Sequence, residues 1–430
     1  MSQINSRIIS YLKVIAIALP LILTVAVTSC SPKKNNAATR NYQAFITRYN
    51  IYFNGDEHYK QTLKQMEDTY EDDFSRLIPL HPIDAKSDPT SPQPAGSFDR
   101  SIEKAQKAIQ LRSIKKKPRR KAGKGNDPEY KEWLKREEYN PFLHNAWMMQ
   151  ARSQYMNGDF LAAATTFHYI QNHFKWLPAT STEAALWMAR CYVSLGWNFE
   201  AQTILRRITP EQLTNSTLKE LYPTVLADYY IHAGEFDKAI QPLIQARDKA
   251  SGTQKTRLTF LLGQIYARQG KKTEAYKEFE KVAKSHSAPY RTKFNARIKQ
   301  SEVYSGKNIE PEVKSLRSML HYSRNKEFAD QIYYAIGNLY LSRQDTVKAI
   351  ENYSKAIKQS TRNGIDKALA QIMLGGLYFD QRDYDLAQPL YSEAVPQLPA
   401  SRPDFNDLKR RSDVLDELAV YSQNVKLQDS

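Results

Sequence analysis

Few residues of this chain are of a type and spacing that could do chemistry, and Cys30 leads them. It follows Val27-Thr28-Ser29 at the end of an apolar run from Val14 to Val27, and Arg7 and Lys13 precede that run. A basic flank, a short apolar core and small residues before a processing point describe a secretory signal, with the core too short for a membrane span. A cysteine placed there is expected to take a diacylglycerol on its thiol, after which the chain is cut before Cys30 and the new amine acylated. At about 0.8 kcal/mol per buried methylene, two or three acyl chains hold a protein on a bilayer. Ser31, Pro32, Lys33 and Lys34 follow without an acidic cluster. Surface-export signals of such lipoproteins tend to be acidic, so the expected location is the outer membrane, lipid-anchored and facing the periplasm.

Other chemistries find no complete set of residues. Cys191, beside Tyr192, is the second and last cysteine. With Cys30 lipidated, no intrachain disulfide can form, and Cys191 reads as a small buried apolar residue. His168 and His173 are five apart, which does not suit the i, i+4 helical metal pair. There is no phosphate loop, dinucleotide fingerprint, HExxH or nucleophile elbow. The chain is therefore expected not to be an enzyme and to need no cofactor, metal or small-molecule substrate.

The elements that would position any site are helices. Between Trp147 and Ala394 one pattern recurs seven times: a small residue, a bulky residue or tyrosine, a turn, an alanine, then an aromatic or leucine. The turn glycines Gly158, Gly196, Gly234 and Gly270 stand 38, 38 and 36 residues apart, and the same slot recurs at Gly306, Gln344 and Arg382. A fixed period in this range means stacked helix pairs. One unit reads Leu262, Gly263, Tyr266, Gly270, Ala275, Phe279 and Val282. Others read Leu226, Ala227, Tyr230, Gly234, Ala239, Leu243, and Ile336, Gly337, Tyr340, Ala349, Tyr353, Ala356. Small residues at Gly263 and Ala275 let two helix backbones approach, and Tyr266 and Phe279 fill the space around them. The unit at Gly306 is degenerate but keeps Ala296, Tyr304 and Leu316. The pattern resembles the tetratricopeptide repeat, and the expected fold is all-α, a tetratricopeptide-repeat superhelical solenoid. First helices should line its concave groove, with Arg152, Tyr155, Arg190, Asp228, Gln264, Arg268 and Asn338 as the expected partner-binding wall.

Charge is uneven. The formal net charge is +16, or +14 once Arg7 and Lys13 leave with the signal. Arg112, Lys115, Lys116, Lys117, Arg119, Arg120, Lys121 and Lys124 put eight positive charges into thirteen residues without an acid. Such a tract is expected to be a flexible loop over 114–138, docking an acidic lipid or protein; a periplasmic location excludes nucleic acid. Upstream, Tyr42 to Phe53 reads as a first helix, Asn54-Gly55-Asp56 as a turn like Asn157-Gly158-Asp159, and Glu57 to Tyr70 as a second helix. Pro79, Pro82, Pro89, Pro92 and Pro94 rule out regular helix between 78 and 97. The expected order is a signal peptide over 1–29, a tether over 30–40, an interrupted helical repeat with a proline-rich insertion over 41–113, and the basic loop. An array of about seven units over 139–400 and a capping helix over 401–430 complete it.

Two stretches carry a more specific likeness. Arg48-Tyr49-Asn50-Ile51-Tyr52-Phe53-Asn54-Gly55 and Glu138-Tyr139-Asn140-Pro141-Phe142-Leu143-His144-Asn145-Ala146-Trp147, in this order behind the lipidation cysteine, resemble the PorW/SprE lipoproteins of the type IX secretion and gliding motility machinery. The resemblance implies a periplasmic scaffold whose partners are translocon and ring components of the secretion apparatus. Such proteins continue further beyond the repeats, so a truncated or short member is expected. The alternatives are a SusD-like glycan-binding lipoprotein, for which Trp176 and Trp197 would be the candidate sugar-stacking residues, or another outer-membrane assembly adaptor.

Overall fold

The computed structural model describes residues 34–361, 364–400 and 402–428, with side chains as far as 419. The expected signal peptide, Cys30 and the start of the expected tether lie outside the described residues. Every regular element among the described residues is helical. No helix among them is long and apolar enough to cross a membrane. Two compact units divide at Leu261 and Leu262, inside one helix.

The first unit opens with α1 (Ala37–Ile46), a π-helical turn (Thr47–Tyr52) and α2 (Phe53–Thr69). An irregular segment with one 3-10 turn (Pro82–Ser87) leads to α3 (Asp99–Arg112), and α4 (Pro128–Lys135) follows the basic tract. Helix pairs then succeed one another: α5 (Leu143–Asn157) with α6 (Phe160–His173), α7 (Pro178–Ser194) with α8 (Asn198–Leu205), and α9 (Ser216–His232) with α10 (Phe236–Lys249). Helix α11 (Gly252–Arg268) contains the division. The second unit continues with α12 (Lys272–Lys284), α13 (Tyr290–Glu302) and α14 (Glu310–Met319), then α15 (Ala329–Leu341) with α16 (Thr346–Gln359). It ends with α17 (Ile365–Asp380), α18 (Tyr384–Ala394) and α19 (Phe405–Gln428).

The repeat positions do what their sizes require. Ala189, Ala201, Ala227, Ala239, Ala275, Ala349 and Ala387 are all fully buried. Where glycine replaces alanine on a first helix, the aromatic of the second helix moves into the space. A Cβ on Gly263 would meet Phe279 Cε1 at 2.8 Å, one on Gly337 would meet Tyr353 Cε1 at 2.6 Å, and one on Gly375 would meet Tyr391 Cε2 at 2.9 Å. The turns share one closure. At five turns the amide just past the turn bonds back to the carbonyl of the tyrosine in the preceding helix, Trp197 to Tyr192, Glu235 to Tyr230, Lys271 to Tyr266, Asp345 to Tyr340 and Asp383 to Tyr378, and at Gly158 the Asp159 amide bonds to Gln154. This bond needs a left-handed residue before it, and the φ angles are +74° at Gly196, +62° at Gln344 and +66° at Arg382.

Three expectations need correction. Gly306 is not a turn residue of this kind: no positive φ occurs there, α13 and α14 are joined by a longer loop, and the glycine lies against the Tyr304 ring. Gly55 makes no turn either. It lies inside a helix that runs on from α1 through the π turn, where a Cβ would meet Met149 Cε at 2.6 Å and Lys104 Cβ at 3.0 Å; the glycine serves close approach instead. The basic tract is not a structureless loop throughout. Ile114 is fully buried, Lys117 Nζ donates to the carbonyls of Leu134 and Arg136, and α4 forms behind an Asp127 cap with proline at its first position.

Candidate functional site

The expected wall residues are split by the structure. Four of them, Arg152, Tyr155, Arg190 and Asp228, lie on α5, α7 and α9 of the first unit. Tyr155 and Arg190 do not face an open groove, because the irregular segment between α2 and α3 is seated on α5 and α7, while Arg152 edges a pocket of about 300 Å³ with Tyr59, Ile83 and Trp187. The segment's apolar residues Ile78, Leu80 and Ile83 are almost fully buried, as is Asp84.

Asp84 is the central contact. Its Oδ1 accepts from Tyr155 Oη at 2.9 Å and from Arg190 NH2 at 2.9 Å, and its Oδ2 accepts from the His81 amide at 2.9 Å. Tyr155 is fully buried and Arg190 nearly so, and the guanidinium stacks on the rings of Tyr155 and Trp187 at 4.9 and 5.2 Å. Burial pushes the Asp84 carboxyl up, but Arg190 and the bonds from Tyr155 and the His81 amide outweigh it and hold the carboxyl below its usual range. His81 beside them is held neutral by burial and by Arg190, its pKa lowered to about 3. Asp228, also buried, pairs instead with His232 at 3.2 Å. Burial alone would lower the His232 pKa, yet Asp228 raises it to about 9.

The grip extends along the segment in both directions. Arg257 on α11 holds Asp72 with two bonds, Nε to Oδ2 at 2.8 Å and NH2 to Oδ1 at 2.6 Å. Arg257 also donates to the Pro79 carbonyl at 3.0 Å, and Gln254 donates to that of Leu80 at 2.8 Å. Phe74 meets Phe260 with ring centres 5.0 Å apart. At the other end Lys86 Nζ donates to the Met156 carbonyl at 3.2 Å, and Asn157 accepts the Phe98 amide at 2.8 Å. One face built by α5, α7 and α11 thus holds this irregular segment of the same chain by paired carboxylates, backbone carbonyls and apolar side chains.

Arg152 and the three expected residues of the second unit behave otherwise. Arg152 is half-buried, 4.0 Å from Glu183. Gln264 is buried and Arg268 exposed, while Asn338 Oδ1 accepts from Tyr353 Oη at 2.7 Å within its own helix pair. Among the basic residues, Lys115, Lys116, Lys117, Arg119, Arg120 and Lys121 are exposed. Lys115 and Lys116 edge an open cleft of about 780 Å³ with Trp147, Tyr169, His173, Glu137 and Glu138. His173 there pairs with Glu137 at 3.0 Å and stacks on Tyr169, while His168 contacts Asn172. Cys191 lies in the core, its thiol pushed well up by burial. Trp176 is packed under Arg136, and Trp197 stacks on Tyr192.

The two long motifs meet. Asn140 Nδ2 donates to Thr47 Oγ1 at 3.2 Å and to the Arg112 carbonyl at 2.9 Å. Tyr52 and Phe142 pack edge to face at 5.1 Å. Ile51, Leu143 and Ala146 share one buried cluster with Ala108, and Glu138 accepts the amides of Ile114, Tyr139 and Asn140. Sequence reasoning missed the seating of residues 72–86. The signal was present: Phe74, Ile78, Leu80 and Ile83 are more apolar than a solvated proline-rich link requires.

The class defined by this architecture is an all-helical array of tetratricopeptide helix pairs, a fold that generally scaffolds protein interactions. Residues 224–290 and 326–402 match the tetratricopeptide repeat family model. Among solved structures, the chain is similar to a tetratricopeptide repeat protein from Parabacteroides merdae at 13% identity and a TM-score of 0.41, covering 63% of this chain and 98% of that one. It is also similar to the apo form of the quorum sensor NprR from B. thuringiensis at 12% identity and a TM-score of 0.39, covering 64% and 79%. No curated protein matches the sequence.

Proposed function

We propose that this chain is a non-enzymatic protein-interaction scaffold, lipidated at Cys30 and held on the periplasmic side of the outer membrane, in the type IX secretion and gliding motility machinery. The observation that carries this reading is the junction of the two motifs. Arg48–Gly55 and Glu138–Trp147, far apart in sequence, pack on each other through Asn140, Thr47, Tyr52 and Phe142. That contact gives a physical reason for the two stretches to occur together. The scaffold part draws support from the face of α5, α7 and α11, which already grips an irregular segment of the chain at Asp72 and Asp84. In this reading the remaining exposed helix surface receives translocon and ring components of the secretion apparatus.

The test is crosslinking in the native cell, recovery through a C-terminal tag and mass spectrometry of the attached proteins. Recovery of type IX ring or translocon components is the expected result. Recovery of a glycan-importing barrel in their place would overturn the reading in favour of a glycan-binding lipoprotein.

A further inference from the structure

The first helical stretch among the described residues leaves four aromatic side chains in solvent. Tyr42, Phe45, Tyr49 and Phe53 are 42%, 62%, 58% and 53% exposed, and Phe45 and Tyr49 touch with ring centres 5.0 Å apart. They stand at i, i+3, i+7 and i+11, a spacing that shares one helix face, and a π turn over Thr47–Tyr52 lies within the stretch. π turns are rare and recur at functional sites. The opposite side of the same stretch is committed inward: Gln43, Thr47 and Ile51 are buried.

The charge along this stripe is positive as far as Phe53, and Asp56 and Glu57 just beyond it pair with Lys60. No acid occurs between Ser31 and Gly55, a span that holds Lys33, Lys34, Arg40 and Arg48. Arg48 lies over the Tyr49 ring at 5.1 Å. The basic tract is fastened to the same helix: Asn35 Nδ2 donates to the Lys116 carbonyl at 2.7 Å, and Arg112 NH1 donates to Gln43 Oε1 at 3.3 Å. Tyrosine and phenylalanine with lysine and arginine beside them are the residue types that settle in the headgroup layer of an anionic bilayer. Position agrees with composition. Ala37 stands seven positions after Cys30, and at no more than roughly 3.6 Å per residue that distance keeps α1 close to whatever surface holds Cys30.

We infer that the stripe Tyr42, Phe45, Tyr49 and Phe53, with the basic tract beside it, is a second membrane contact that lays the start of the protein against acidic phospholipid headgroups. This rests on the anchor assigned under the proposed function. The full-length lipidated protein carrying Phe45→Trp is reconstituted on vesicles of phosphatidylethanolamine with phosphatidylglycerol, with and without lipid brominated in the upper acyl chain. Phe199→Trp, at a 76% exposed position on α8, serves as the comparison, and unsubstituted protein sets the background of the native tryptophans. The expected result for the Phe45→Trp protein is an added blue-shifted emission quenched roughly twofold by the brominated lipid, as for a ring seated in the headgroup boundary, with no such quenching at position 199. Protein that floats with the vesicles while positions 45 and 199 are quenched alike overturns the lipid contact and leaves the anchor standing. Protein that does not float overturns both. Position 45 crosslinking to a protein in cells while it stays unquenched on vesicles assigns the stripe to that protein and rejects the lipid.

Discussion

The two units satisfy their buried polar groups in opposite ways. In the second unit the partners are close in sequence: Tyr353 donates to Asn338, Ser360 to Asp330 and Gln371 to Glu393, across one helix pair or the next. In the first unit the buried charges are matched across long separations, Arg190 with Asp84 and Arg257 with Asp72. A regular helix pair closes on itself, whereas the first unit needs an irregular segment to finish its inner face. The difference shows that equal repeat pattern does not mean equal autonomy.

The comparison breaks most sharply at Asp84. Replacing Asp84 with Ala leaves the Arg190 guanidinium, 5% exposed, without its carboxylate, and should destabilise the first unit by about 3–5 kcal/mol. Hydrogen exchange should quicken in peptides from α5 and α7 and stay unchanged beyond Leu262. Equal acceleration in both units would mean that they do not stand apart as described.

The counterpart in the second unit is Gly337→Ala. The change gains about 1 kcal/mol of helix propensity, but the new methyl lies 2.6 Å from a fully buried Tyr353 ring, an overpacking that costs about 1–3 kcal/mol. The net result is a lower unfolding midpoint, with faster exchange confined to α15 and α16. A midpoint that rises would show that the ring can yield.

Turn chemistry sharpens the contrast further. The first unit uses glycine at 158, 196 and 234 and the second at 270, but only the second also places non-glycine residues, Gln344 and Arg382, in left-handed conformations among the described residues. Gln344→Gly should stabilise the second unit by about 1 kcal/mol, since an L residue pays roughly that to sit there. The urea midpoint of that unit is the measurement.

The smallest effects concern pH, because both imidazoles keep part of their surface in water. His81 has its pKa lowered, so the unfolded chain binds its proton first and stability falls as pH drops from about 6.5 toward 3. Asp84, also lowered, acts in the same direction at the acid end, where its stabilisation is lost as pH falls through its folded pKa. His232 is the reverse case: its contribution is whole below about 6.5 and is lost as pH rises through about 9. The urea midpoint of the first unit should therefore be highest near neutrality. His81→Gln should flatten the acid limb and His232→Gln the alkaline one.

Much of this was legible in the sequence. Glycine and alanine spacing gave the helix pairs, because a backbone contact tolerates only small residues and the same contact recurs with a fixed period. Cys191 was read as core for the same reason. The site was less legible. Periodicity says which face of a helix points inward, but not what already occupies that side, so Tyr155 and Arg190 were taken for open wall. Gly55 and Gly306 misled because glycine answers two needs, a left-handed turn and a close approach, and spacing alone does not separate them. The basic tract misled because charge density describes a segment's average and missed Ile114.

The bond from Arg257 to Asp72 also sets an order of events. It joins residues 185 positions apart, and contacts of such separation form late because a large loop must close first. A chain released from its N-terminus onward can form α2 and α5 early, yet cannot complete the Asp72 clasp until α11 has emerged. Until then the buried row Ile78, Leu80 and Ile83 lacks its full cover, which makes this stretch the part of the newborn chain most in need of a chaperone.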